Sequence, residues 1–242
     1  NSSVSPNPLT APLNLLVESA EAAVPIHAVT AEMYGAWISD QSPRVRAWLA
    51  AINFNADAGA NAALSGDDGA VSMVVLGLGR GDDPWVTGNL AKTLPKGTYR
   101  IATTARALPE GAMPEFPTWA ALAWALGGYS FSRYKSESAP LCAVLIWPEG
   151  CDRAYVEAAA TASSLTRDLI NTPAADLLPD ALEEAARELA RTHGAEINVV
   201  IGDALLAENF PLIHAVGRAS AVAPRLIDFS WGAIGAPKVT LV

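Results

Sequence analysis

The side chains in this sequence that could do chemistry are three histidines, two cysteines and a small cluster of carboxylates. His27, His193 and His214 stand alone: none has a second His or a Cys at zinc-ligand spacing, and no H-E-x-x-H pattern occurs. His193 falls in a last helical turn before Gly194, where a cation offsets the helix dipole. His214, between Ile213 and Val216, reads as a hydrogen-bonded core histidine. Asp176, Asp180, Glu183 and Glu184 crowd one helix start. A metal cluster is one reading of them, but acids at a helix N-terminus are the ordinary electrostatic arrangement, and that reading is preferred. Ser163 and Ser164 fall mid-helix, with neither a nucleophile elbow nor an adjacent base. Gly77-Leu78-Gly79-Arg80-Gly81 follows an apolar run and could cradle a phosphate at a helix start. It lacks the later glycine of a dinucleotide fingerprint, and Asp82-Asp83 would repel an anion, so a tight turn is expected. The residues themselves therefore offer no catalytic, cofactor-binding or metal-binding set.

The elements that would position any such set alternate strand with helix. Leu13–Val17 and Val24–Val29 read as strands. Thr30 can cap a helix through Trp37, and Ser42-Pro43 opens another through Ala51. Asn53–Gly69 is small and polar, with a turn at Asp67-Asp68-Gly69. The uninterrupted Val-rich run Ala70–Leu78 suits a strand buried on both faces. A helix is expected from Asp83-Pro84 to about Leu94 and a strand over Gly97–Ala102. Pro117–Gly127 should be a helix with Trp119, Leu122, Ala123 and Leu126 on one face, and Leu141–Trp147 a second apolar strand.

From Asp152 a long helix carries Ala158, Ala162, Leu165 and Leu169 at helical spacing. Pro173 disfavours helical geometry at Thr172, so that helix should end near Asn171. Pro179–His193 is a further helix stopped by Gly194, with Glu183 four residues before Arg187. Glu196–Ile201 and Arg225–Trp231 are strands, with short helices at Ala204–Phe210 and Leu212–Val216 between them. Lys238–Val242 should begin one more strand. The fold class is α/β, divided into a first domain over 1–150, a linker helix over 151–173 and an incomplete second domain over 174–242.

Composition narrows the function classes. Of 242 residues, 51% are hydrophobic and 17% charged, which excludes disorder. The net charge of −9 is spread along the chain without a basic patch, arguing against nucleic acid or anionic lipid as a partner. No run approaches a membrane helix. Cys142 and Cys151 read as apolar fillers; with no signal-peptide pattern at the start, a cytoplasmic location is expected. The Ser/Pro/Asn-rich opening, residues 1–12, reads as a frayed arm.

The run RDLINTPAADLLPDALEEAARELA, followed by INVVIGDALLAENFPLIHAVGRAS, PRLIDFSWG and PKVTLV, resembles the cytosolic leucyl aminopeptidase family of metallopeptidases over about residues 150–242. The earlier part is similar to the family's variable N-terminal domain through Gly128–Lys135 and Trp147–Gly150. The resemblance implies a macro-domain-like N-terminal α/β domain, a linker helix, and the first strands and helices of an α/β aminopeptidase catalytic domain. It also implies peptide substrates, a homo-hexamer in the complete protein, and two divalent ions (Zn or Mn) that polarise the scissile carbonyl and activate a water. Those ligands are expected in segments beyond Val242, so none transfers to a residue of this chain. The competing expectation is a macro-like module that binds ADP-ribose near Gly77–Gly81 without peptidase activity.

Overall fold

The computed structural model describes residues 13–102, 113–135 and 142–241. Two compact units divide the chain, Asn1–Asp168 and Leu169–Val242. In chain order the first holds a 3-10 turn (Leu13–Leu15), β1 (Leu16–Val17), β2 (Val24–Val29), α1 (Ala31–Ser39), α2 (Pro43–Ala51), β3 (Asn61–Ser65), β4 (Val71–Gly77), α3 (Leu90–Thr93), β5 (Thr98–Ile101), α4 (Phe116–Gly128), β6 (Val144–Ile146) and α5 (Arg153–Asn171), whose last residues enter the second unit. The second adds α6 (Pro179–His193), β7 (Glu196–Ile201), α7 (Ala204–Ala207), α8 (Pro211–Gly217) and β8 (Arg225–Ser230).

The first unit is built on a six-stranded sheet in the order β1-β6-β5-β2-β4-β3. Every pairing is parallel except β3 with β4, which is antiparallel. Strand alternation sends successive residues of β4 to opposite faces. Val74 and Leu76 join the cluster that packs with Ala120, Trp124, Val156 and Ala160, while Val75 joins Leu49, Leu64 and the rings of Tyr34 and Trp37. Both faces are thus covered, which is why the Val-rich run shows no polar alternation. The caps act as their residue types predict: Thr30 accepts from the Met33 amide and Ser42 from the Val45 amide.

Several expectations change. Leu13–Val17 is only partly strand, its first three residues forming the 3-10 turn. Asn61–Ser65 is a strand where only a polar connection was expected, because Ala62 and Leu64 alternate inward against β4 while Asn61, Ala63 and Ser65 face solvent. The helix expected from Asp83 shrinks to Leu90–Thr93. The Asp83 carboxylate accepts from the Trp85 amide at 2.8 Å, and the Trp85 carbonyl takes the Gly88 amide, so the chain turns before it can wind. In α4 the run Ala120–Ala125 is buried all round, with no single apolar face. On α5 the buried stripe is Val156, Ala160 and Ser164, whereas Ala158 and Ala162 are exposed. Part of the strand expected over Leu141–Trp147, namely Leu141, and the opening arm lie outside the described residues.

In the second unit, β7 and β8 form a two-stranded antiparallel sheet, Glu196 opposite Ser230 and Ile201 opposite Arg225. Gly194 closes α6 in the left-handed conformation at φ 65°, its amide donating to the Ala190 carbonyl. Lys238–Leu241 forms no strand pairing, a departure from the strand expected there, and Val242 is outside the described residues.

Candidate functional site

The most heavily charged buried point in the second unit is Glu183. It sits one turn into α6 and is only 8% exposed. Arg187 Nε donates to its Oε1 at 2.7 Å from one turn further along the helix, and Arg225 at the start of β8 donates to Oε2. The hydrogen bond from Arg187 holds the Glu183 carboxyl below the usual carboxylate range; Arg225 acts in the same sense and burial opposes both. Spacing along the helix predicts the Arg187 contact. Arg225, 42 residues away, carries no local signal.

Around this ion pair α6, α8 and β8 leave an open groove of about 620 Å³, lined by Leu178, Pro179, Leu182, Leu212, Val216 and Ile227 among others. The charged residue on its wall, Arg225, already has Glu183 as its partner. The groove has the character of an unfinished core rather than of a polar reaction site.

The remaining candidates are structural. His214 is half-buried and its Nε2 lies 3.1 Å from Asp203 Oδ1, but Leu212 and Val216 beside it are exposed, so it is not the core histidine expected. The His193 carbonyl accepts from the Trp231 indole at 3.0 Å. His27 in β2 lies beside Trp37, ring centroids 5.9 Å apart; burial, then nearby Arg100, lower its pKa. Asp180 accepts from the Ala181 amide at 2.9 Å, a helix-start role. Ser164 is buried and its Oγ has no hydrogen-bond partner. Cys142 and Cys151 are not joined in a disulfide, and burial pushes the Cys151 thiol up against an opposing effect of Arg153.

The amides of Gly77, Leu78, Gly79 and Gly81 donate to the carbonyls of Ala60, Val29, Ala56 and Leu78. A phosphate would find none of these four free. This turn therefore does not form the nucleotide cradle of the competing expectation. Among the described residues no group of three or more His, Cys, Asp or Glu could hold a metal ion, so the residues present do not fit a two-ion centre. No helix of the described residues is long and apolar enough to cross a membrane.

Comparison with known proteins gives this arrangement its context. Residues 24–148 match the family model of the M17 aminopeptidase N-terminal domain, and residues 164–242 that of the cytosol aminopeptidase family catalytic domain. The chain belongs to the M17 cytosol aminopeptidase family. A probable cytosol aminopeptidase of Streptomyces avermitilis is 35% identical over 127 residues, 47% of this chain and 25% of that protein. One from Mycobacterium sp. (strain KMS) is 30% identical over 177 residues, 66% of this chain and 33% of that protein.

Among solved structures, the cytosol aminopeptidase of Coxiella burnetii shares 32% identity at a TM-score of 0.81, covering 93% of this chain and 48% of that one. The bottromycin maturation enzyme BotP, solved in complex with Mn, shares 26% at 0.66, covering 89% and 46%. A tomato leucine aminopeptidase shares the fold at a TM-score of 0.71 over 99% of this chain and 54% of its own. The chain thus spans about half of these solved M17 chains, and its matches cover a quarter to a third of the first curated relatives. In place of a nucleotide-binding module, the α/β sheet of the first unit is the N-terminal domain of an M17 aminopeptidase.

Proposed function

We propose that this chain is the N-terminal half of a metal-dependent leucyl aminopeptidase, hydrolysing N-terminal residues, leucine among them, from peptides. The observation that carries the reading is the succession of two family matches in one chain, an N-terminal domain over 24–148 and a catalytic domain from 164 onward. In this reading a macro-like domain over 1–150 and a linker helix over 151–173 precede the start of the catalytic domain, whose family match begins at 164, within that helix.

In this reading two divalent ions, zinc or manganese, would be held by residues other than those of this chain and would supply Lewis acidity at the scissile carbonyl and at a water. The manganese in the BotP structure supports a divalent ion of this kind. The residues of this chain do positioning work. Glu183 ties α6 to β8 through Arg225, and the six-stranded sheet carries the first domain. A cytoplasmic location is supported by the naming of the relatives as cytosol aminopeptidases. Peptide substrates and a hexameric assembly belong to the complete protein.

The test compares two polypeptides on leucine p-nitroanilide with Mn²⁺ or Zn²⁺ added. The 242-residue chain releases no product, and the chain extended to the length of its relatives does. Turnover by the 242-residue chain would overturn the placement of the site; an inert extended protein that binds the metal would overturn the activity.

A further inference from the structure

The first unit has both faces of its sheet filled, so a ring it leaves in solvent is a surface feature rather than a gap in its core. Two such rings, Trp85 at 52% exposure and Tyr155 at 48%, meet on a third. Trp119, in the first turn of α4, lies edge-to-face with both, its ring centroid 5.4 Å from that of Trp85 and 6.4 Å from that of Tyr155. Each ring has a carboxylate a few residues before it: Asp83, Glu115 and Asp152 respectively for Trp85, Trp119 and Tyr155. Backbone contacts hold these together. The Asp83 carboxylate takes the Trp85 amide at 2.8 Å, and the Asp152 carboxylate takes the Tyr155 amide at 3.0 Å. The Asp152 amide donates to Thr118 Oγ1 at 2.9 Å, next to Trp119, whose own amide donates to the Glu115 carbonyl.

Among the described residues none of these three carboxylates has a cationic partner; the nearby Arg80 and Arg153 are held by Asp82 and Glu18. The N-termini of α4 and α5 supply about half a positive charge each, which leaves the rings beside a local excess of about two negative charges. The same unit shows what such a combination holds. Arg153 lies over the Trp147 ring at 5.2 Å while its Nη1 donates to both oxygens of Glu18, so ring, cation and carboxylate are complete within the chain. Arg167 over Tyr129 and Arg133 over Tyr134 repeat the ring and the cation. Among the described residues no cation lies over Trp85, Trp119 or Tyr155.

We propose that Trp85, Trp119 and Tyr155, with Asp83, Glu115 and Asp152, form a docking site for an arginine-bearing peptide segment of a partner. The rings attract a cation through their faces and the carboxylates supply its counter-charge. A guanidinium suits them better than a compact ammonium, because its plane stacks on a ring while its N–H fork reaches a carboxylate. Charge also sets aside a second copy, which at a net charge of −9 would bring more acid to an acidic rim. The occupant lies on the Trp119 side of Trp85. On its other side Trp85 walls a recess of about 480 Å³ that carries Arg167, which repels a second guanidinium. This site stands apart from the proposed peptidase activity, since it lies in the N-terminal domain and no bond is cleaved there.

The probe is an N-acetylated, C-amidated Gly-Arg-Gly-Arg-Gly peptide, whose blocked N-terminus keeps it from serving as an aminopeptidase substrate. It is titrated into the ¹⁵N-labelled 242-residue chain at 50 mM salt and followed on the indole Nε1–H resonances, assigned with Trp85→Phe and Trp119→Phe. The Trp85 and Trp119 resonances move together and saturate, while that of Trp48, equally exposed at 49%, stays in place. Raising the salt to 500 mM weakens binding about fivefold or more. The peptide with citrulline in place of arginine, of the same shape without the charge, binds about tenfold more weakly or less tightly still. Asp83→Asn with Asp152→Asn retains the turn and the helix cap, which asparagine also makes, leaves the thermal midpoint unchanged, and weakens binding about tenfold.

Equal binding of the citrulline peptide overturns the proposal, as does saturation that leaves the Trp85 and Trp119 resonances unmoved. Undiminished binding by the double asparagine variant places the peptide elsewhere and overturns it too. A lysine peptide that binds as tightly as the arginine one removes the guanidinium preference and with it the stated occupant. Hydrolysis of leucine p-nitroanilide is read separately, so the proposed activity and the docking site fail or stand independently.

Discussion

Glu183 contributes to the second unit in a way that depends on its partners' positions. Two arginines converge on one carboxylate, and Arg225 is itself only 11% exposed at its side chain. Removing the carboxylate charge leaves that guanidinium without its counter-charge, so Glu183→Gln is expected to destabilise the α6–β8 pairing by roughly 3 kcal/mol. Exchange of β8 amides in the complete protein measures this. Glu184→Gln, on an exposed side chain facing Arg191, should cost less than about 1 kcal/mol.

The pH dependence has a definite sign. Because the folded carboxyl is held low, its contribution is complete above the ordinary Glu value of about 4.3 and is lost as pH falls through the depressed folded value. His27 acts at milder pH. Burial and Arg100 lower its pKa in the fold, whereas the unfolded chain takes up a proton near pH 6.5, so first-unit stability falls as pH drops from about 6.5 toward the lowered folded value. Thermal midpoints at pH 7.5 and 5.5 should converge in His27→Phe relative to the parent. Little of this was legible in the residues alone: the Glu183–Arg187 spacing was visible, but neither Arg225 nor the Asp203–His214 contact leaves a periodic trace.

Elements with their own local signal were legible almost to the residue. The bounds of β2, α2, α6 and β7 follow from a Val-rich run, a Ser-Pro start, a Pro-to-Gly span and an Ile/Val-rich run. What escaped was decided by neighbours. The small, polar residues of β3 become a strand because β4 supplies the pairing, and propensity yields to such tertiary context. Helix α4 was recognisable as a helix, but not as one enclosed on every side, because its alanines look like a weak apolar face until the elements around them are known.

That enclosure makes a test. Gly127 lies so close to Gly88 that a Cβ built there would fall within the Gly88 carbonyl oxygen. Gly127→Ala must therefore push α4 off the segment before α3, and overpacking of this kind costs about 3 kcal/mol. Chemical denaturation of the first unit should show it as a lower midpoint with an unchanged slope. By contrast Gly35→Ala, with nothing within 4 Å of its Cβ site in the middle of α1, should stabilise by about 0.5 to 1 kcal/mol.

At the scale of the whole molecule, the family membership and the apolar distribution describe the same division. One unit holds a two-sided sheet with both faces filled. The other holds a ribbon, three helices and an apolar groove. Burial of apolar area is the main favourable term in folding and is offset by chain entropy of similar size, so the two parts should differ in kind rather than in degree when separated. The compact-unit boundary after Asp168 suits the cut, since Arg167 donates to the Leu126 carbonyl and Tyr129 to Asp168, both inside the first unit. A chain ending at Asp168 is expected to melt in a single cooperative transition by circular dichroism. Residues 169–242 made alone should give no cooperative transition at any concentration that leaves them monomeric. A sharp melt for the second piece would mean that Ala190, Leu205 and the Glu183–Arg225 pair suffice to hold it.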